Sequence, residues 1–158
     1  MQISIFKGFA FGLTSGIITT LGVITGLESG TGSRMVVLGG VLSIAIADSF
    51  SDALGIHVSE ESDNNKSSKE VWVATCATFI SKFIFSSTFV IPILFFDLLT
   101  AIWVSIIWGI VLLAILSYFI AKSQKEKPWK VISEHLFIAF LVIVITHFVG
   151  DWVSNVFN

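Results

Sequence analysis

The sequence predicts an all-α integral membrane protein of five transmembrane helices, with its N-terminus in the cytoplasm and its C-terminus outside or in a lumen. Three observations carry this. Hydrophobic side chains make up 54% of the 158 residues and charged ones only 13%, about half the charged share of a soluble domain. The apolar residues fall in five long runs, and a run of about 20 such residues crosses the roughly 30 Å of a bilayer's hydrocarbon as a helix. Lysines gather in alternate connections, which orients the chain. The polar connections are short, so residues 1–158 form a single transmembrane domain.

The first span covers about residues 5–27. Its single early lysine and apolar stretch resemble a signal peptide, but the run continues past an ordinary h-region and lacks a clear cleavage site, so it is read as a retained helix. Glu28 to Ser33 follows, where two glycines and small polar residues favour reversal of the chain. The second span covers about 35–58, and Ser59 to Glu70 is a solvated polar segment. The third covers about 71–96, with Pro92 near its end, where a missing N–H and a kink are easiest to accommodate. Asp97 and its neighbours turn the chain into the fourth span, about 100–121. A loop with Pro128 and four lysines leads to the fifth, about 131–153.

Five spans place the N-terminus, the second-to-third loop and the fourth-to-fifth loop on one side. That side holds Lys7, Lys66, Lys69, Lys122, Lys125, Lys127 and Lys130, against Arg34 alone on the other. Trp72, Trp129 and Trp152 sit near span ends, as interfacial aromatics do. The net charge of −2 and the absence of a basic run alternating with exposed aromatics give no footing for nucleic acid. Cys76 is the only cysteine, which rules out an internal disulfide framework or a cysteine metal cluster.

Two helices carry the chemistry. On the first, Gly8, Gly12, Ser15, Thr19, Gly22 and Gly26 share one side at 100° per residue. Small residues at that spacing let two membrane helices approach closely, either within a bundle or between protomers. Ser15 and Thr19 would also set hydroxyls beside a permeation path. On the second, Asp48, Ser51 and Asp52 lie on one polar stripe, with the two carboxylates one turn apart. A carboxylate at lipid depth costs roughly 2.5–3.5 kcal/mol on insertion scales, so this pair needs a cation, protons, water or a basic partner. Lys82, near the middle of the third span, is a candidate charge partner for Asp48. That pairing leaves Asp52 unexplained, and two acids against one base favour a site that handles cations or protons. His57, Glu60 and Glu61 stand at the cytoplasmic mouth, as a solvated face or an acidic vestibule that raises local cation concentration. On the fifth span, His147 and Asp151 are one turn apart, as a polar contact or a proton relay.

Three segments together resemble the vacuolar iron transporter family of divalent-metal/proton antiporters. Gly12-Leu13-Thr14-Ser15-Gly16-Ile17-Ile18-Thr19-Thr20-Leu21-Gly22-Val23 is similar to the family's first-helix G-x-x-D-G-L-V-T-T-F-A-V pattern. Ala47-Asp48-Ser49-Phe50-Ser51-Asp52-Ala53-Leu54-Gly55 resembles its second-helix A-D-G-L-S-M-G-x-G, and Val90-Ile91-Pro92-Ile93-Leu94-Phe95-Phe96 its I-P-L-L-P-F. Ser15 stands where the family has an acid, Asp52 where it has methionine, and Ile56 where it has glutamate. The long cytoplasmic metal-binding helices are reduced to the segment from Ser59 to Glu70. Carboxylate in place of thioether makes the ligand set harder, towards Mn²⁺ or Fe²⁺.

The resemblance implies a proton-coupled transporter moving Fe²⁺ or Mn²⁺ out of the cytoplasm by alternating access. It would be no enzyme and would need no resident cofactor. Its metal ligands would be Asp48 and Asp52, with Ser15, Thr19 and Ser51 as secondary oxygens. A homodimer would form through the first helix, at Gly8, Gly12, Gly22 and Gly26, in a cell, inner or vacuole-like organelle membrane. An alternative is a non-transporting subunit or degenerate member in which Asp48 pairs with Lys82. An intramembrane phosphotransferase is disfavoured, because Asp48 and Asp52 lack the upstream acid pair and arginine that such a motif needs.

Overall fold

A computed structural model describes residues 1–157, which form six helices and, among the described residues, no strand. These are α1 (Gln2–Thr31), α2 (Arg34–Glu61), α3 (Ser68–Thr88), α4 (Val90–Phe95), α5 (Leu98–Gln124) and α6 (Pro128–Phe157). By length and hydropathy they make five candidate membrane spans, with α3 and α4 together forming the third. The protein is therefore an integral membrane protein.

The elements end where local chemistry ends them. α1 runs on through the segment expected to turn, because only Gly32 takes the left-handed conformation (φ 57°), its N–H donating to Glu28 O at 2.7 Å. The reversal thus shrinks to Gly32 and Ser33. The α3–α4 break falls at Phe89, three residues before Pro92. Proline lacks an N–H, and its ring crowds the carbonyl four residues back, here Thr88. α3 begins on a capping box, with the Ser67 hydroxyl accepting from Glu70 N–H and the Glu70 carboxylate accepting from Ser67 N–H. The Asp97 carboxylate caps α5, accepting from Thr100 N–H at 3.0 Å. That bond and Arg34 nearby hold the Asp97 carboxyl below the usual aspartate range.

α1 is the central helix and packs against α2, α3, α5 and α6. Its first half lies on α3: a Cβ added at Gly8 would stand 2.3 Å from Ala74 O, and one at Gly12 would stand 2.4 Å from Thr78 O. Its second half lies on α6, where Cβ atoms at Gly22 and Gly26 would press on Val142 and Thr146. The glycine stripe is thus consumed inside the protomer. Gly8, Gly12, Gly22 and Gly26, expected at a dimer interface, are engaged by α3 and α6 of the same protomer. Ile17, Leu21 and Ile24 of α1 are buried with Val37, Val41, Phe89, Ile93 and Leu113 to form the core.

Candidate ion site

The site sits where α1, α2 and α3 pack against one another near the middle of α1. Gly12 and Gly16 let α3 approach closely enough for Ser86 Oγ to donate to Gly16 O at 3.3 Å. That approach carries Lys82 into the bundle, where its side chain is fully buried. α2 packs against both helices and turns Asp48 and Asp52 towards the same point. The Lys82 ammonium then stands 2.5 Å from Asp48 Oδ2 and 2.5 Å from Asp52 Oδ2, and donates to Ser15 Oγ at 2.8 Å.

One ammonium is therefore in ionic contact with two carboxylates, and it donates hydrogen bonds to Asp52 and to the Ser15 hydroxyl. Spacing explains how: residues four apart present side chains on the same helix face, so a single Nζ reaches both. The sequence suggests Lys82 for Asp48; that Asp52 shares the same ammonium depends on how closely α3 approaches. The carboxylates are less enclosed than the lysine, with side chains 29% and 19% exposed. They open on one flank while the cation is sealed within. With all three groups ionised the triad carries one net negative charge, so it has capacity for one further positive charge.

The secondary oxygens divide. Ser15 joins the triad, but Thr19 spends its hydroxyl on Ser15 O at 2.7 Å within its own helix. Ser51 is exposed on the outer face of α2. At the end of the bundle that carries the N-terminus, His57 Nδ1 lies 3.0 Å from Thr75 Oγ1 and its ring packs on Trp72. Glu60 is nearly buried between Lys7 at 3.3 Å and Lys66 at 3.4 Å. The acidic vestibule is therefore corrected in part, since two lysines neutralise Glu60. Glu61 and His57 do line a cavity of about 250 Å³ beside Lys66 and Trp72.

His147 and Asp151 are not part of this centre. Their contact is 3.6 Å, and both meet Ser29 of α1, which donates to His147 O at 2.8 Å and to the Asp151 carboxylate. Ser29 is fourteen residues beyond Ser15, or about 21 Å of helical rise. With the Thr25–Thr146 hydroxyl pair at 2.8 Å, these residues fasten α6 to the second half of α1. Among the described residues, no group of three or more His, Cys, Asp or Glu side chains is placed to hold a metal within one protomer.

Five apolar spans enclosing an ammonium–dicarboxylate triad define a polytopic membrane protein with an ionic centre at lipid depth. The VIT family model matches residues 60–151, more than half of the chain, and the chain belongs to that family of membrane transporters. The matched stretch includes Lys82 and Pro92, whereas Asp48 and Asp52 precede it. Comparison with curated proteins and with solved structures gives no match.

Proposed function

We propose that the protein carries a divalent transition metal, Fe²⁺ or Mn²⁺, across the membrane in exchange for protons. In this reading Asp48 and Asp52 are the ligands and Lys82 is the resident counter-ion. The observation that carries it is the single buried ammonium shared by two partly exposed carboxylates. Buried charges at this depth cost several kcal/mol each unless compensated, and one lysine compensates only one of the two acids. A hard, oxygen-only pair suits Mn²⁺ or Fe²⁺ over softer ions.

A metal and Lys82 compete for the same oxygens. Loading M²⁺ while Lys82 gives up its proton takes the triad from −1 to 0, which links metal entry to proton release. Alternating access then requires the open flank of Asp48 and Asp52 to face each side in turn.

That flank also suggests where a second protomer sits. Gly39, Ser43, Ala47, Ser51, Gly55 and Ser59 recur every four residues on α2, all six are exposed, and an added Cβ at Gly39 or Gly55 would meet nothing within 4 Å. Two α2 helices packed along this row would cover the acids and bring four carboxylates and two ammoniums around one axis.

Metal-dependent quenching of a dye in proteoliposomes tests the function, run with Fe²⁺, Mn²⁺, Zn²⁺ and Ca²⁺ and with and without a pH gradient. Fe²⁺ or Mn²⁺ uptake that depends on the gradient is expected, with Asp52→Asn inactive yet folded. Normal flux in Asp52→Asn would overturn the assignment of the ligands.

A second reading is a non-transporting family member in which Lys82 permanently occupies the acids. It is favoured by the full burial of Lys82 and by the absence, among the described residues, of a three-ligand cluster in one protomer. It predicts no flux of any of the four ions by the wild-type chain.

A further inference from the structure

We propose that the α5–α6 connection is a binding site for the headgroups of anionic phospholipids, formed by Lys122, Lys125, Lys127 and Lys130 with Trp129 as its interfacial anchor. All four lysines fall within nine residues and are exposed. Elsewhere on the same side, Lys7 and Lys66 hold Glu60, and the N-terminal ammonium holds Glu70 at 2.8 Å. Among the described residues, none of the four loop lysines is in ion-pair contact with a carboxylate. Glu126 in the loop and Glu134 on the first turns of α6 are the acids nearest in sequence, and they leave the segment net positive.

Two of these lysines occupy positions that local backbone physics disfavours. Lys125 closes α5 in the left-handed conformation (φ 56°), with its N–H donating to Lys122 O and the Glu126 N–H to Ala121 O. Glycine is the ordinary residue there, because it has no Cβ to clash. Lys130 lies in the first turn of α6, where the positive end of the helix dipole repels a cation. Four like charges packed together repel one another as well. An external anion relieves both charge penalties, at Lys130 and among the four lysines.

The surroundings place that anion in the membrane. Trp129 is 67% exposed at the head of α6, as an indole lodged among headgroups would be. The Lys122 ammonium lies 5.0 Å from the centre of the Tyr118 ring, at the boundary between α5 and the loop. The lysines thus stand at headgroup level beside two interfacial aromatics, where phosphates of the bilayer are the anions in reach. A lysine near an anionic surface favours binding by about fivefold.

Native mass spectrometry of the protein, taken from vesicles of phosphatidylcholine and phosphatidylglycerol in equal amounts with matched acyl chains, tests this. The wild type is expected to retain phosphatidylglycerol over phosphatidylcholine, and K125Q/K127Q/K130Q to lose at least tenfold of that preference. The charge-keeping K125R/K127R/K130R should retain it, which separates loss of charge from misfolding. Equal retention of both lipids by the wild type, or an undiminished preference in the glutamine variant, would overturn the proposal. So would displacement of the lipid by inorganic phosphate at equal concentration, because the site would then recognise a free anion.

Discussion

Lys82→Met removes the ammonium and keeps most of the side-chain volume. The wild-type nitrogen makes two 2.5 Å ionic contacts and one 2.8 Å bond to Ser15, all from a fully buried position. Deleting one partner of a buried ionic group costs about 3–5 kcal/mol, because the remaining charge loses its compensation. The contacts do not add independently, so about 3–5 kcal/mol is also the expected loss for the whole triad. Equilibrium unfolding in bicelles, followed by helical circular dichroism, measures it. The informative comparison is Asp48→Asn/Asp52→Asn/Lys82→Met. Replacing an entire buried ionic group is often neutral or stabilising, so the triple variant should recover most of the loss. A Lys82→Met protein within about 1 kcal/mol of wild type, below the range for a broken buried pair, would refute a structural triad. A triple variant as unstable as the single one would show that lysine packing, and not charge, is what the site needs.

Other expectations follow from the same geometry. Gly12→Ala should destabilise by about 1–3 kcal/mol, the usual cost of overpacking, since the new Cβ would stand 2.3 Å from Ser81 Oγ and 2.4 Å from Thr78 O. Gly39→Ala meets open space in the protomer and should leave monomer unfolding unchanged or slightly improved; thermal melts of the two variants side by side decide it. Ser51→Cys in a Cys76→Ser background should cross-link under oxidation if two α2 helices meet, and its failure to do so would remove that interface. Asp97→Ala should destabilise the α4–α5 turn at neutral pH. Because the Asp97 carboxyl is held low, its contribution is present above the ordinary aspartate value of about 4 and fades as pH falls through the depressed one. Melting curves of wild type and Asp97→Ala should therefore converge in acid, and a gap that persists or widens there would contradict the capping role.

Hydropathy alone was enough to call five spans, because each backbone polar group in lipid must be satisfied within its own helix. The sharp break before Pro92 and the stripe of close-packing glycines are also local facts of the chain. So is the pairing of Asp48 with Asp52 on one face, which needs only a helical repeat of 3.6 residues. What a stripe packs against is a different kind of fact. Gly8, Gly12, Gly22 and Gly26 show that α1 is approached closely, yet only the assembled bundle assigns an approach to α3 and α6. Lys82 is similar: its depth follows from its position in the third span, but sharing between both acids and Ser15 depends on three helices converging to within hydrogen-bond distance. The sequence determines which faces are small, apolar or charged, since those are properties of one helix. Only tertiary structure decides which face meets which, because that choice is made by contacts between residues as far apart as Ser15 and Lys82.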